Sequence, residues 1–189
     1  MTDTFFKELK EDLMQGAATK EHPFHYCTMG TVGLEYLARL RTLKLRKVSN
    51  DLKLTFYTDK RSKKILHIKE NPKVGLLFYH PQKLLQLKIE GLATIIKDQE
   101  SLSKHWKNVH PGSRKDYTTT TAPGSAIKSP DTVEFLEDEN YFCMVEVNPF
   151  KIEYLKLKHP NHLRIRFSKK NDSTEVSSVR GWKGEFLVP

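Results

Sequence analysis

No stretch of this sequence approaches the roughly 18 consecutive apolar residues that a membrane-crossing helix requires, so no transmembrane helix is expected. The opening residues, MTDTFFKELKEDLMQG, mix acids with apolar residues and lack the continuous apolar core of a secretory signal. Cysteine is scarce. Cys27 and Cys143 cannot build a disulfide scaffold, nor a zinc site by themselves, and a reducing cytoplasmic setting is the expectation. There is no phosphate-binding GxxxxGK[ST] loop, no GxGxxG and no HExxH, and Ser113 and Ser125 have no nucleophile elbow around them. Nucleoside-triphosphatase, zinc-protease and serine-hydrolase chemistry therefore lack their signatures. The eight histidines are not at metal-ligand spacing: His22 and His25 are three apart with Pro23 between them, so no metal is expected.

What the chain has in excess is positive charge. Its 189 residues carry 32 Lys and Arg against 23 Asp and Glu, a formal net charge of +9. That points to an anionic partner of some kind, with nucleic acid and a phosphorylated cofactor both compatible. The length suits one domain, 1–189, and 10% aromatic residues within a normal apolar share exclude wholesale disorder.

Periodicity divides the chain into short strands and shorter helices. Phe5, Phe6, Leu9 and Leu13 recur at helical spacing, and Gly16 is expected to end that helix. Alternation predicts strands over 26–32, 36–48 and 52–58, the last two joined by the turn Ser49-Asn50-Asp51. Ser62 can cap a helix over 63–70, which Asn71-Pro72 stops. Strands are expected over 74–79 and 84–96, with Gly91 marking a bulge or bend in the second. Asp98 can cap a helix carrying Leu102, Trp106 and Val109 on one face. A long irregular loop is predicted over 111–130, a short helix over 131–139, and strands over 142–147, 151–157, 163–167 and 182–188. Strand follows strand with little strand–helix–strand alternation. The expected class is mainly β (α+β), an antiparallel barrel or sandwich with peripheral helices.

Two basic clusters carry the chemistry. Lys63 and Lys64 fall in the first turn of a helix, where the amide dipoles already favour anions, and Lys60 and Arg61 precede them. A phosphate site and a solvated basic turn both fit. Arg39, Arg41, Lys44 and Arg46 occupy one strand, and Arg41 shares a face with Leu43 and Leu45. A guanidinium on an apolar face wants a fixed anion, either a carboxylate or a phosphate. Gln86, in LLQLKIEG, offers donors and an acceptor to a heterocycle edge, or faces solvent. Cys143, in an apolar strand, reads as packing.

The order Arg41-Thr42-Leu43-Lys44-Leu45-Arg46, Phe56-Tyr57-Thr58, Ser62-Lys63-Lys64, Asn71-Pro72, Leu85-Gln86-Leu87-Lys88-Ile89-Glu90-Gly91 and a closing WKGEFLVP resembles the pyridoxamine 5'-phosphate oxidase family of FMN-binding split barrels. The resemblance implies an antiparallel split β-barrel and a homodimer with FMN at the subunit interface. It implies that Arg41 and Lys64 hold the FMN phosphate, with Lys63 and Thr58 assisting. Thr42, Leu43, Lys44 and Tyr57 would line the ribityl chain and ring, Gln86 would approach the isoalloxazine, and Ser125 would reach it from the partner. Arg46 and Arg164 would touch substrate or ring. A flavin-facing tryptophan of the family aligns with Phe142, and the region of the family's substrate-phosphate set reads His105-Trp106-Lys107-Asn108-Val109-His110-Pro111-Gly112-Ser113, without the expected arginine clearly placed. The expected function is an FMN-dependent oxidoreductase moving hydride to or from a small molecule. Its catalytic side chains are unassigned, because the cofactor carries the chemistry. A deazaflavin in place of FMN, a non-catalytic flavin-binding module and a basic nucleic-acid-binding barrel are the alternatives. Lysines such as Lys169 and Lys170 read as solvated surface.

Overall fold

The computed structural model describes residues 1–169 and 181–189, so Lys170 lies outside the described residues. Eight antiparallel strands form one sheet: β1 (Tyr26–Val32), β2 (Ala38–Val48), β3 (Leu54–Asp59), β4 (Lys73–His80), β5 (Leu85–Ile96), β6 (Phe142–Lys156), β7 (Leu163–Lys169) and β8 (Trp182–Leu187). Their order is β3-β2-β1-β4-β5-β6-β7-β8, and an additional β3–β6 pairing closes the first six into a barrel. Closure removes two sheet edges that would otherwise invite aggregation. The architecture is the mainly-β split barrel that the strand order implies.

The split has a physical origin in β6. The sequence predicts two strands, 142–147 and 151–157, broken at Pro149. Instead β6 runs unbroken, and it is the neighbour that changes: its first half pairs with β3 and its second with β7. Proline lacks an amide hydrogen and is tolerated where a ladder is irregular. Pro149 sits opposite Gly91, at the register shift that follows Glu90. The bulge expected at Gly91 is therefore present. No side chain fits there, because a Cβ would meet Val147 Cγ1 at 2.7 Å and the Asn148 carbonyl oxygen at 2.9 Å.

Helix α1 (Thr2–Ala18) buries Phe6, Leu9 and Leu13 and leans Phe6 edge-on to Phe167, ring centroids 5.1 Å apart. Gly16 does not end this helix. It lies inside it, where a Cβ would stand 2.7 Å from that of Phe24, so the glycine serves close approach rather than termination. The interior collects Phe24, Met29, Leu45, Leu54, Phe56, Phe78, Leu87, Ile152, Tyr154 and Ile165, all essentially inaccessible. Each large apolar side chain so buried contributes about 1.5–3 kcal/mol.

Helix α2 (Lys63–Glu70) spans the β3–β4 connection, and α3 (Gln99–Lys107), capped by Asp98, follows β5. Against the outer face of β3 and β6, α3 builds a second apolar cluster of Tyr57, Leu102, Trp106, Val109, Tyr117, Phe142 and Met144. The loop after α3 is more ordered than its composition predicts. It holds a single helical turn, α4 (Pro111–Arg114), and a 3-10 turn at Lys115–Tyr117. Of the helix expected over 131–139 only a 3-10 turn at Pro130–Thr132 forms, because the backbone beyond it pairs instead: Thr120 donates to the Glu134 carbonyl and Leu136 to that of Thr118.

Candidate functional site

Strand β2 is paired with β1 over 38–44 and with β3 only from Leu45 onward. Over 38–44 its other edge therefore has no strand partner among the described residues, and the barrel opens there beside the start of α2. Arg41, inward-facing and opposite Met29, lies at this opening and donates from Nη1 to the Met29 carbonyl at 3.2 Å. Lys64, in the first turn of α2, donates from Nζ to Thr58 Oγ1 at 2.8 Å. Both cations are partly buried. Burial pulls the Arg41 pKa down, and burial followed by the charge of Arg41 pulls down that of Lys64. Two neighbouring cations without a dedicated carboxylate form an anion-receptive pocket.

The acid whose charge reaches Lys64, Asp59, is engaged elsewhere. Asp59 is held by Arg61, whose Nη2 lies 2.7 Å from Oδ2 and whose Nε lies 3.1 Å from Oδ1. The same guanidinium stacks 3.3 Å from the centre of the Tyr141 ring and donates to the Thr119 carbonyl at 2.9 Å. Arg61, grouped by sequence with the anion-facing basics, is instead an internal strut between β3 and the threonine-rich loop. Asp59 two residues earlier was the available signal for this. Lys63 is exposed on the first turn of α2. The Lys63 and Lys64 amides make no hydrogen bond among the described residues, and Ser62 supplies no side-chain cap. An ordinary serine cap is worth about 1 kcal/mol to a helix.

His67 is a site residue that sequence reasoning passed over. Its buried ring pairs through Nδ1 with Thr31 Oγ1 at 3.0 Å. Burial, then Arg41, Arg39 and Lys63, lowers its pKa, so it does not add a further cation at neutral pH. Its i+3 spacing from Lys64 on a short helix was the only trace in the sequence.

Of the remaining expected residues, Thr42, Lys44, Arg46, Tyr57, Gln86 and Arg164 lie on the outer face. Thr42 and Lys44 alternate out of the barrel, and Leu43 points in beside Cys27. The β2 bulge between Leu45 and Lys47 turns Arg46 out toward Tyr57, its guanidinium 5.0 Å from the ring centre. Tyr57 hydroxyl and His105 Nδ1 lie 2.8 Å apart, a partnership invisible in sequence. Gln86 is partly buried on the outer face of β5, in one row with Tyr79, Leu155 and Arg164. Arg164 is engaged by Glu153 at 2.8 Å, which also pairs with Lys88 at 3.3 Å. Ser125 is exposed in its loop and donates its amide to the Ala122 carbonyl, with no bond joining it to Arg41 or Lys64 among the described residues. Phe142 packs within its own chain, 7% exposed, with its ring 4.9 Å from that of Tyr57.

The cysteines fit packing. Burial pushes the Cys27 thiol up to about 12 and also raises that of Cys143. Among the described residues no group of three or more His, Cys, Asp or Glu is placed to hold a metal ion.

The sequence pattern of the pyridoxamine 5'-phosphate oxidase family matches residues 17–139, which covers the barrel's first five strands, α2, α3 and the loop beyond. The chain belongs to this family. A pyridoxine/pyridoxamine 5'-phosphate oxidase of Crocosphaera subtropica is 25% identical over 181 residues, spanning 89% of this chain and 83% of that one. The crystal structure of a pyridoxamine 5'-phosphate oxidase-related, FMN-binding protein from Nostoc punctiforme superposes with a TM-score of 0.76 at 23% identity, covering 97% of this chain and 96% of its own. PhzG from Burkholderia lata, solved in complex with tetrahydrophenazine-1-carboxylic acid, gives a TM-score of 0.77 at 16% identity, covering 97% and 92%. At such identities these two structures speak for the family's fold, shared across nearly the whole of each chain.

Proposed function

We propose that this family member is a flavoprotein that binds FMN and moves hydride between the flavin and a small molecule. The observation that carries the reading is the Arg41–Lys64 pair: two partly buried cations at an open strand edge, beside helix amides with no cap. A phosphate dianion satisfies all of these groups at once. In this reading Arg41 and Lys64 hold the phosphate, and Lys63 adds long-range attraction. The open edge of β2 at Thr42, Leu43 and Lys44 offers backbone groups to the ribityl chain. Tyr57 and Gln86, on the outer face, border the ring, and Arg46 sets a cation beside Tyr57. A flavin supplies hydride acceptance and donation. The chain's own residues bind it, orient it and place positive charge where reduced flavin carries negative charge.

The outer face also supports a homodimer. Tyr26, Leu40, Leu77 and Tyr79 are exposed on neighbouring strands β2, β1 and β4, next to Gly30 and Gly75, which leave a flat apolar strip. A second copy seated there would enclose the outer-face residues and could bring its own Ser125 to the flavin. We read residues 1–189 as one domain, acting in a reducing cytoplasm with both cysteines free. The substrate differs from a vitamin B6 phosphate in this reading, because the segment after Gln86 lacks the family's basic phosphate set and its Trp106 is packed into the apolar cluster.

Purified protein tests the reading directly. A yellow preparation that releases FMN on denaturation, and that turns over a reduced nicotinamide with an electron acceptor, is expected. A colourless protein that takes up neither FMN nor a deazaflavin overturns it.

A further inference from the structure

We propose that Thr58 and Ser62 are positioning residues for Lys64, holding its ammonium at the phosphate site through a hydrogen-bond relay with one fixed direction. The inference rests on the FMN reading above and extends it to residues that need not touch the cofactor.

The direction of the relay follows from counting donors. Ser62 occupies the cap position of α2, with φ −67° and ψ 145°. A serine there ordinarily turns its oxygen onto the amide of the second or third helical residue. Ser62 does not. Its hydroxyl lies 2.8 Å from the Asp59 carbonyl oxygen. A carbonyl only accepts, so the single hydroxyl hydrogen of Ser62 is committed to Asp59. Thr58 Oγ1 and Ser62 Oγ are 3.3 Å apart, and with the hydrogen of Ser62 spent, Thr58 is the donor of that bond. Thr58 then presents only lone pairs to Lys64 Nζ, which donates to it at 2.8 Å. The relay runs from Lys64 to Thr58 to Ser62 to the Asp59 carbonyl.

Burial makes this arrangement consequential. Thr58 and Ser62 are 5% and 6% exposed, so water does not readily substitute for either hydroxyl. Thr58 faces Cys143 across the β3–β6 pairing, and Asp59 is locked by Arg61. The far end of the relay is therefore anchored to the barrel wall. A lysine side chain has a long flexible stem and would otherwise sample many rotamers. One of its three N–H donors is fixed on Thr58, and the other two are left for an acceptor in the barrel mouth. Because the Ser62 side chain turns away from α2, it also leaves the Lys64 amide without its side-chain cap. One serine thus fixes the ammonium and keeps the helix start free for the same anion. Thr58 serves the phosphate through Lys64 while its hydrogen points away from the site.

The test compares FMN with riboflavin, which shares the ring and lacks the phosphate. Full-length protein freed of flavin is titrated with each and followed by flavin fluorescence. The wild type is expected to prefer FMN. Ser62→Ala should weaken FMN by about fivefold, the scale of one buried hydrogen bond, with riboflavin unchanged. Thr58→Val, close in shape, should give the same selective loss, which keeps the test decisive if Ser62→Ala does not fold. Ser62→Thr, which retains the hydroxyl, should restore the preference. In a Lys64→Ala background, Ser62→Ala should have no further effect on FMN. Equal loss for FMN and riboflavin, or an unchanged FMN affinity in Ser62→Ala while Lys64→Ala abolishes the preference, overturns the relay and leaves the phosphate site standing. A wild type with no FMN preference that Lys64→Ala leaves unaltered refutes the phosphate site itself, and the relay with it.

Discussion

Arg41 on β2 and Lys64 on α2 lie within electrostatic reach of one another, and the guanidinium lowers the proton affinity of the ammonium beyond what burial does. Such proximity between like charges is unfavourable in isolation. It persists because each is held by its own neutral acceptor, the Met29 carbonyl for Arg41 and the Thr58 hydroxyl for Lys64. A site built in this way gains most from a doubly charged ligand.

Replacing both cations tests that claim. Arg41→Ala combined with Lys64→Ala should weaken FMN binding at least about tenfold, equivalent to about 1.4 kcal/mol. The double variant should keep its β-rich circular dichroism spectrum, since neither side chain belongs to the apolar interior. An unchanged dissociation constant in the folded variant refutes the phosphate assignment.

Barrel closure at β6 gives a stability prediction with an internal control. Gly91→Ala places a methyl 2.7 Å from Val147 Cγ1 and should cost about 1–3 kcal/mol in urea unfolding. Gly75→Ala meets nothing within 4 Å and should stay within about 0.5 kcal/mol of the parent. Equal effects at the two positions would contradict the seam at the β5–β6 bulge.

Acid sensitivity should set in well above the carboxylate range. Burial lowers the pKa of His22, His67, His80 and His105 below the ordinary 6.5. The unfolded chain therefore binds these protons more readily than the folded one. The stabilisation is complete above pH 6.5 and is lost as pH falls through the lowered folded values. Melting temperature should decline as pH falls below about 6.5, and less steeply in His67→Gln. A second decline should follow below 4.5, where Glu153, its pKa lowered chiefly by Arg164, begins to protonate. Glu153→Gln should diminish that second step alone. A melting temperature that is flat from pH 7 to 5 would contradict the histidine assignment.

The apolar strip on the outer face predicts the assembly. The parent protein should run at twice the chain mass in light scattering. Leu40→Glu with Leu77→Glu should halve it, because both side chains are exposed on that face at 70% and 41%. The double variant should also lose flavin if the ring is bounded by the partner. A monomeric parent would remove the dimer from the proposal.

The sequence by itself determined the strand pattern, the basic strand and the basic helix start, and their order along the chain was enough to indicate the family. Those features are local: alternation at Arg41-Thr42-Leu43, turn chemistry at Ser49-Asn50-Asp51 and the stop at Asn71-Pro72 act within a few residues. Helix α1 running on through Gly16, β6 running on through Pro149, and the reduction of the 131–139 helix to a 3-10 turn at Pro130–Thr132 were not legible, because each depends on a backbone distant in sequence. The site divides in the same way. Arg41 and Lys64 were recognisable as cations in want of an anion. Only tertiary structure withdrew Arg61 and Arg164 into pairs with Asp59 and Glu153 and brought buried His67 within electrostatic reach of Arg41. It also turned Ser62 from helix cap to relay, since a hydroxyl's partner is set by which acceptor the fold places within 3 Å, and sequence spacing does not encode that distance.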